Sequence, residues 1–140
     1  MYNIHSLFII KKTIMAQTTW ITKITNLSKK DLQWKSGEHP EQTGFLKSNQ
    51  EQDLDGSGLC FPWVDHSKDE MRKSIFFVNP QNTNEIFYIF QSYNYDTIRW
   101  IKGQNPIANH AQDVPGYSGA GGAKAIIIQP DGTPRLEITG

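Results

Sequence analysis

The chain has 140 residues, room for one domain of ordinary size and not for two independent cores. Fourteen Lys and Arg balance fourteen Asp and Glu, so no global basic field favours nucleic acid and no acidic excess marks a disordered tail. No apolar run approaches the ~20 residues of a membrane-spanning helix, and the single cysteine, Cys60, excludes an intramolecular disulfide.

In the opening MYNIHSLFIIKKTIMAQ, Lys11 and Lys12 follow a short apolar tetrad, Leu7 to Ile10. A secretory signal carries its charge before a longer apolar region and closes on a small-residue cleavage site, so none is expected here. Residues 1–14 read as an extension outside the core and residues 15–140 as a β domain whose first strand starts near Thr18. The rival reading is a short membrane-seeking or partner-binding helix. Its apolar residues, from Tyr2 to Ile14, make no long amphipathic face with a basic opposite side. A lone thiol and no signal point to the cytoplasm, or to export by a route that leaves no N-terminal mark.

Sixteen Ile, seven Phe, five Tyr and four Trp are concentrated in short runs bounded by Asn, Gly, Pro, Asp and Ser, the pattern of an all-β fold. Thr18–Asn26 and Asp31–Ser36 read as a hairpin through the turn-prone Asn26–Lys30. Gly37–Gly58 is polar, with one short edge strand at Thr43–Ser48. Leu59–Val64 is apolar but holds Pro62, which cannot donate to a ladder, so it suits an edge strand or a buried crossover. Ser67–Arg72 offers a turn or two of helix, with Ser67 as N-cap and Glu70 at the third position. Ser74–Pro80 and Glu85–Gln91 are apolar on both faces and form the expected central hairpin. Thr97–Ile101 is a further strand, followed by a loop from Lys102 to Gly122. Ala123–Gln129 then turns through Pro130–Thr133 into Pro134–Thr139. These elements predict a single-domain β-sandwich of eight or nine short, mainly antiparallel strands, with a small β-barrel as the alternative.

Glu38–Glu70 holds eight acids against Lys47 and Lys68. Within it Asp53, Asp55 and Ser57 alternate before a glycine like the opening of a calcium loop, where a hard cation needs several oxygens round a sharp turn. The twelfth position, however, is Val64, and a solvated turn is the simpler reading. No other metal or cofactor is suggested. The glycine-rich Gly116–Gly122 leads into a strand, whereas a phosphate loop leads into a helix. Cys60 lies in an apolar run without a neighbouring base and should be a buried thiol of raised pKa. Ser118 in Gly-Tyr-Ser-Gly-Ala lacks the fifth glycine and the preceding strand of a nucleophile elbow. His39, His66 and His110 show no zinc spacing and read as surface residues. An enzyme is therefore not expected.

The aromatic residues outside strand cores carry the functional expectation. Tyr93, Asn94, Tyr95 and Asp96 fall in one turn, and Trp63 and Tyr117 fall in other connections. If these loops meet at one end of a sandwich, they form a Tyr and Trp surface rimmed by amides and carboxylates. Flat rings stack on the apolar face of a sugar or enclose a choline, while the polar neighbours fix hydroxyl groups. The expected role is a non-enzymatic module binding a carbohydrate or lipid headgroup, with peripheral membrane contact allowed. The plainer alternative is a structural or protein-interaction domain using a sheet edge near Phe45 or Pro62.

The segment Thr19–Leu32 resembles the first hairpin of aegerolysin and actinoporin-like proteins, and Cys60-Phe61-Pro62-Trp63 is similar to an aegerolysin Cys-Pro-Trp element with an inserted Phe. The resemblance covers about a tenth of the domain. It implies a small sandwich that binds membrane lipids, in the extreme a membrane-binding cytolysin, and transfers no binding residue.

Overall fold

A computed structural model describes residues 17–139; the expected extension, residues 1–14, lies outside them. The chain runs through β1 (Thr19–Asn26), β2 (Leu32–Ser36), β3 (Thr43–Leu46), β4 (Glu51–Asp53) and β5 (Cys60–Phe61). After these come β6 (Ile75–Asn79), β7 (Asn82–Gln91), β8 (Ile98–Lys102), β9 (Gln112–Asp113), β10 (Gly122–Ile128) and β11 (Pro134–Ile138). Eight of these strands have four or more residues; β4, β5 and β9 are shorter additions.

The strands form two sheets. One has the order β11-β10-β1-β4, with β5 sharing the outer edge of β1; the other has the order β3-β2-β6-β7-β8-β9. Both sheets end in open edges, so the fold is a sandwich and the barrel alternative does not apply. All pairs are antiparallel except β1 and β10, which run parallel from Thr19 opposite Gly122 to Asn26 opposite Ile128, with a register shift between Ile21 and Lys23.

The expected hairpin of the first two strands does not form. β1 belongs to one sheet and β2 to the other, and buried polar side chains turn the chain between them. The Asn26 amide donates to the carbonyls of Lys30 at 2.8 Å and Leu46 at 3.2 Å. Its oxygen accepts the Ser28 amide and hydroxyl at 3.0 and 2.6 Å. Both strands still point their alternate apolar residues at the same interior, Ile21 and Ile24 from one side, Leu32 and Trp34 from the other. Period-2 alternation is equally compatible with both arrangements.

The core joins Ile21, Ile24, Phe61, Ile126, Ile128 and Leu136 of the first sheet to Trp34, Ile75, Phe77, Phe87, Ile89, Ile98 and Trp100 of the second. At about 1.5–3 kcal/mol for each fully buried large side chain, this interior is the main favourable term in folding. The β6–β7 and β10–β11 hairpins form as expected. On the outer face of β6–β7, however, Phe90 is buried but Phe76 and Tyr88, which pair at 5.8 Å, are only half-buried, while Phe77 and Phe87 stack at 4.9 Å inside.

Three connections also differ in detail. The polar Gly37–Gly58 stretch contains a second short strand, β4, in the sheet opposite β3. The 102–122 loop contains β9 and a 3-10 turn at Ala108–His110. The expected helix is a single 3-10 turn, Ser67–Asp69, preceded by His66 without a side-chain cap. Glu70 is buried and its carboxylate accepts the Tyr93 amide at 2.8 Å, so it serves a neighbouring loop instead of a capping box.

Candidate functional site

The strand directions put the loops around residues 62–73, 92–97 and 115–122 at one end of the sandwich. Hydrogen bonds tie them together. Glu70 accepts the Tyr93 amide, linking the first loop to the second. The amide of Ile98 donates to the Ser118 carbonyl at 2.6 Å and that of Ala120 to the Asp96 carbonyl at 2.9 Å, linking the second to the third. Within the 92–97 turn, the Ser92 hydroxyl accepts the amides of Asn94 and Tyr95, and Asp96 adopts a left-handed φ of 52°. Gly116 is left-handed as well (φ 93°), and a Cβ there would collide with the Leu136 carbonyl, which fixes the third loop against β11.

All four expected aromatic residues are exposed on this end: Trp63 by 39%, Tyr93 by 42%, Tyr95 by 63% and Tyr117 by 57%. Asn94 and Asp96 are exposed beside them. Among the described residues the ring-on-ring pairs lie instead on β6, β7 and β8, as for Phe87 and Trp100.

Two residues absent from the sequence reading shape this surface. The first is Arg99 on β8, whose guanidinium carbon lies 4.4 Å from the centre of the Tyr95 ring, well within cation–π range. Arg99 is itself held: its Nη2 donates to the Ala111 carbonyl at 2.6 Å, and its Nε lies 3.5 Å from the Asp113 carboxylate in an ion pair without hydrogen-bond geometry. Tyr95 is thus backed on one face and open on the other. The second is Lys124, buried on β10, whose ammonium donates to the Gly119 carbonyl; burial lowers its pKa. The period-2 alignment of Lys124 with the inward Ile126 and Ile128 was the available signal for the second; Arg99 had none, since its contact is with the non-repetitive turn that precedes its own strand.

Under the loops, polar groups fasten the two sheets. The Thr19 hydroxyl donates to the Gln91 side-chain oxygen at 2.9 Å and accepts the Gly121 amide at 2.7 Å, and the Gln91 amide donates to the Gln17 carbonyl. The platform therefore stands on a fixed base.

The remaining sequence candidates lie elsewhere. Asp53 accepts the Asp55 amide at 3.0 Å and Ser57 accepts the Leu59 amide at 3.1 Å, the local bonds of a polar turn. Among the described residues no group of three His, Cys, Asp or Glu is placed to hold a metal. Cys60 is half-buried, and desolvation, followed by the nearby Glu38 charge, raises its pKa. His39, His66 and His110 are exposed. Among the described residues no helix is long and apolar enough to cross a membrane. No protein-family model, curated protein or solved structure matches this chain.

Proposed function

We propose that the chain is a non-enzymatic binding module whose loop face, Trp63, Tyr93, Asn94, Tyr95, Asp96 and Tyr117, takes a carbohydrate or the polar head of a lipid. The observation that carries this reading is Tyr95, 63% exposed with its inner face supported by Arg99. A ring held in place loses little freedom on stacking, which is how rigid aromatic anchors gain affinity. The same arginine refines the ligand. A second cation on Tyr95 would face the guanidinium through the ring, whereas a neutral sugar face meets no such repulsion, so a carbohydrate is favoured over a choline head.

The test is a glycan array and a liposome-binding assay run in parallel on the full chain. Tyr95→Ala is expected to weaken binding by about 1–3 kcal/mol, taking base-on-aromatic stacking as the analogue, with an unchanged circular dichroism spectrum. Binding indifferent to Tyr95→Ala, Tyr93→Ala and Tyr117→Ala would remove the reading.

A second reading has one observation in its favour. Phe45 is 47% exposed on β3, an open edge strand, which suits strand addition by a protein partner. Sedimentation of the chain and of Phe45→Lys distinguishes self-association at this edge from ligand binding at the loops. Of the two segments behind the cytolysin reading, Thr19–Leu32 does not form the expected hairpin, and Cys60–Trp63 supplies β5 and the exposed Trp63.

A further inference from the structure

The opposite end of the sandwich is open. A cleft of about 740 Å³ enters there between the sheets, within the range of roughly 300–1,000 Å³ common to small-ligand sites. Its apolar wall includes Leu32, Phe87, Trp100 and Ile128, with Phe87 and Trp100 meeting edge to face at 6.0 Å. Polar turns such as Pro130–Thr133 frame the mouth.

The charge at the rim says what would fill it. Trp100 contributes ring surface to the wall, 8% exposed and with its Nε1 sealed from solvent. The rim carries three lysines, Lys29, Lys30 and Lys102, against two acids, Glu85 and Asp131. Lys30 is committed to Glu85 at 2.7 Å, and this contact, with Asn79 next, lowers the Glu85 pKa. Asp131 bonds the amide and hydroxyl of Thr133. Lys29 and Lys102, also on the cleft, form no ion pair among the described residues. Trp100 and Lys102 stand two apart on β8 and so lie on one face of it; both also line a smaller cavity of about 360 Å³ beside the β8 edge.

We propose that this cleft binds a small amphipathic carboxylate, its hydrocarbon body against Phe87, Trp100 and Ile128 and its anionic head on the β8 wall at Lys102, with Lys29 at the rim. The site lies at the far end from the loop aromatics and is independent of them. Neutral chains of the same length gain the apolar contact and lose the charge-assisted bonds; cationic ones meet the unpaired lysines.

Calorimetric titration of the full chain with decanoate, decanol and decyltrimethylammonium tests this. Decanoate should bind saturably and at least about tenfold more tightly than the other two. Lys102→Gln should weaken decanoate about tenfold and leave decanol unchanged. Tyr95→Ala should have no effect. Lys102 is exposed on a strand end, so its variant keeps the fold and tests the site. The proposal is overturned by absent saturation with decanoate, by equal affinity for all three chains, or by decanoate binding that ignores Lys102→Gln.

Discussion

Lys124 shows how much a single side chain can reveal about this fold. It sits among inward-facing isoleucines with a backbone carbonyl as its partner, and burial disfavours its charged form. A folded-state pKa below the unfolded value means that the unfolded chain holds the proton more tightly. The residue therefore costs stability at neutral pH, and the cost fades as pH rises through the folded value toward the ordinary lysine range near about 10.4. Lys124→Met removes the titration and keeps an unbranched chain one heavy atom shorter. Urea unfolding should show the variant's advantage over wild type greatest near about pH 7 and shrinking steadily toward about pH 10. An advantage independent of pH would mean that the ammonium is well solvated. Arg99 and Tyr95 make the complementary point: the exposed tyrosine was legible from its Asn, Asp and Ser neighbours, which mark a turn. Its cationic support was not, because a contact between a strand residue and a loop leaves no periodic trace.

Among the elements, the β6–β7 hairpin separates what patterning specifies from what it leaves open. Two continuous apolar runs around an Asn-Pro turn define both strands and their antiparallel pairing, yet cannot tell a strand covered on both faces from one covered on a single face. The structure buries Phe77, Phe87 and Ile89 on the inner face; on the outer face it buries Phe90 and leaves Phe76 and Tyr88 half-buried. Ile89→Ala should accordingly cost about 2–5 kcal/mol. Phe76→Ala, which loses a cross-strand pair and part of its covered area, should cost only about 1 kcal/mol by the same denaturation measurement. Equal losses at the two positions would show the outer face to be as dry as the inner. The unformed hairpin of β1 and β2 has the same origin. Alternation sets which residues face inward, while the polar contacts of Asn26 and Ser28, distributed over Lys30 and Leu46, decide which sheet receives the next strand.

At the scale of the molecule, neither sheet has a core without the other. The buried isoleucines of β1 and β10 share one core cluster with the aromatic interior of β2, β6, β7 and β8, and the parallel pairing of β1 with β10 ties the first strand to the last third of the chain. Thr19 and Gln91 bond the two sheets directly. Closing such distant segments gives no return until both layers are docked, which makes the sheets one cooperative unit. The tryptophans allow this to be tested, because Trp34 and Trp100 are buried in the six-stranded sheet. Ile126→Ala lies in the opposite sheet and should destabilise the fold by about 2–5 kcal/mol. Its urea midpoint should move by the same amount whether followed by near-ultraviolet dichroism of the buried indoles or by far-ultraviolet dichroism of the strands. If the indole signal kept its wild-type midpoint while the far-ultraviolet signal moved, the six-stranded sheet would be folding alone, and the proposed sites at the two poles of the sandwich could not be treated as parts of one rigid frame.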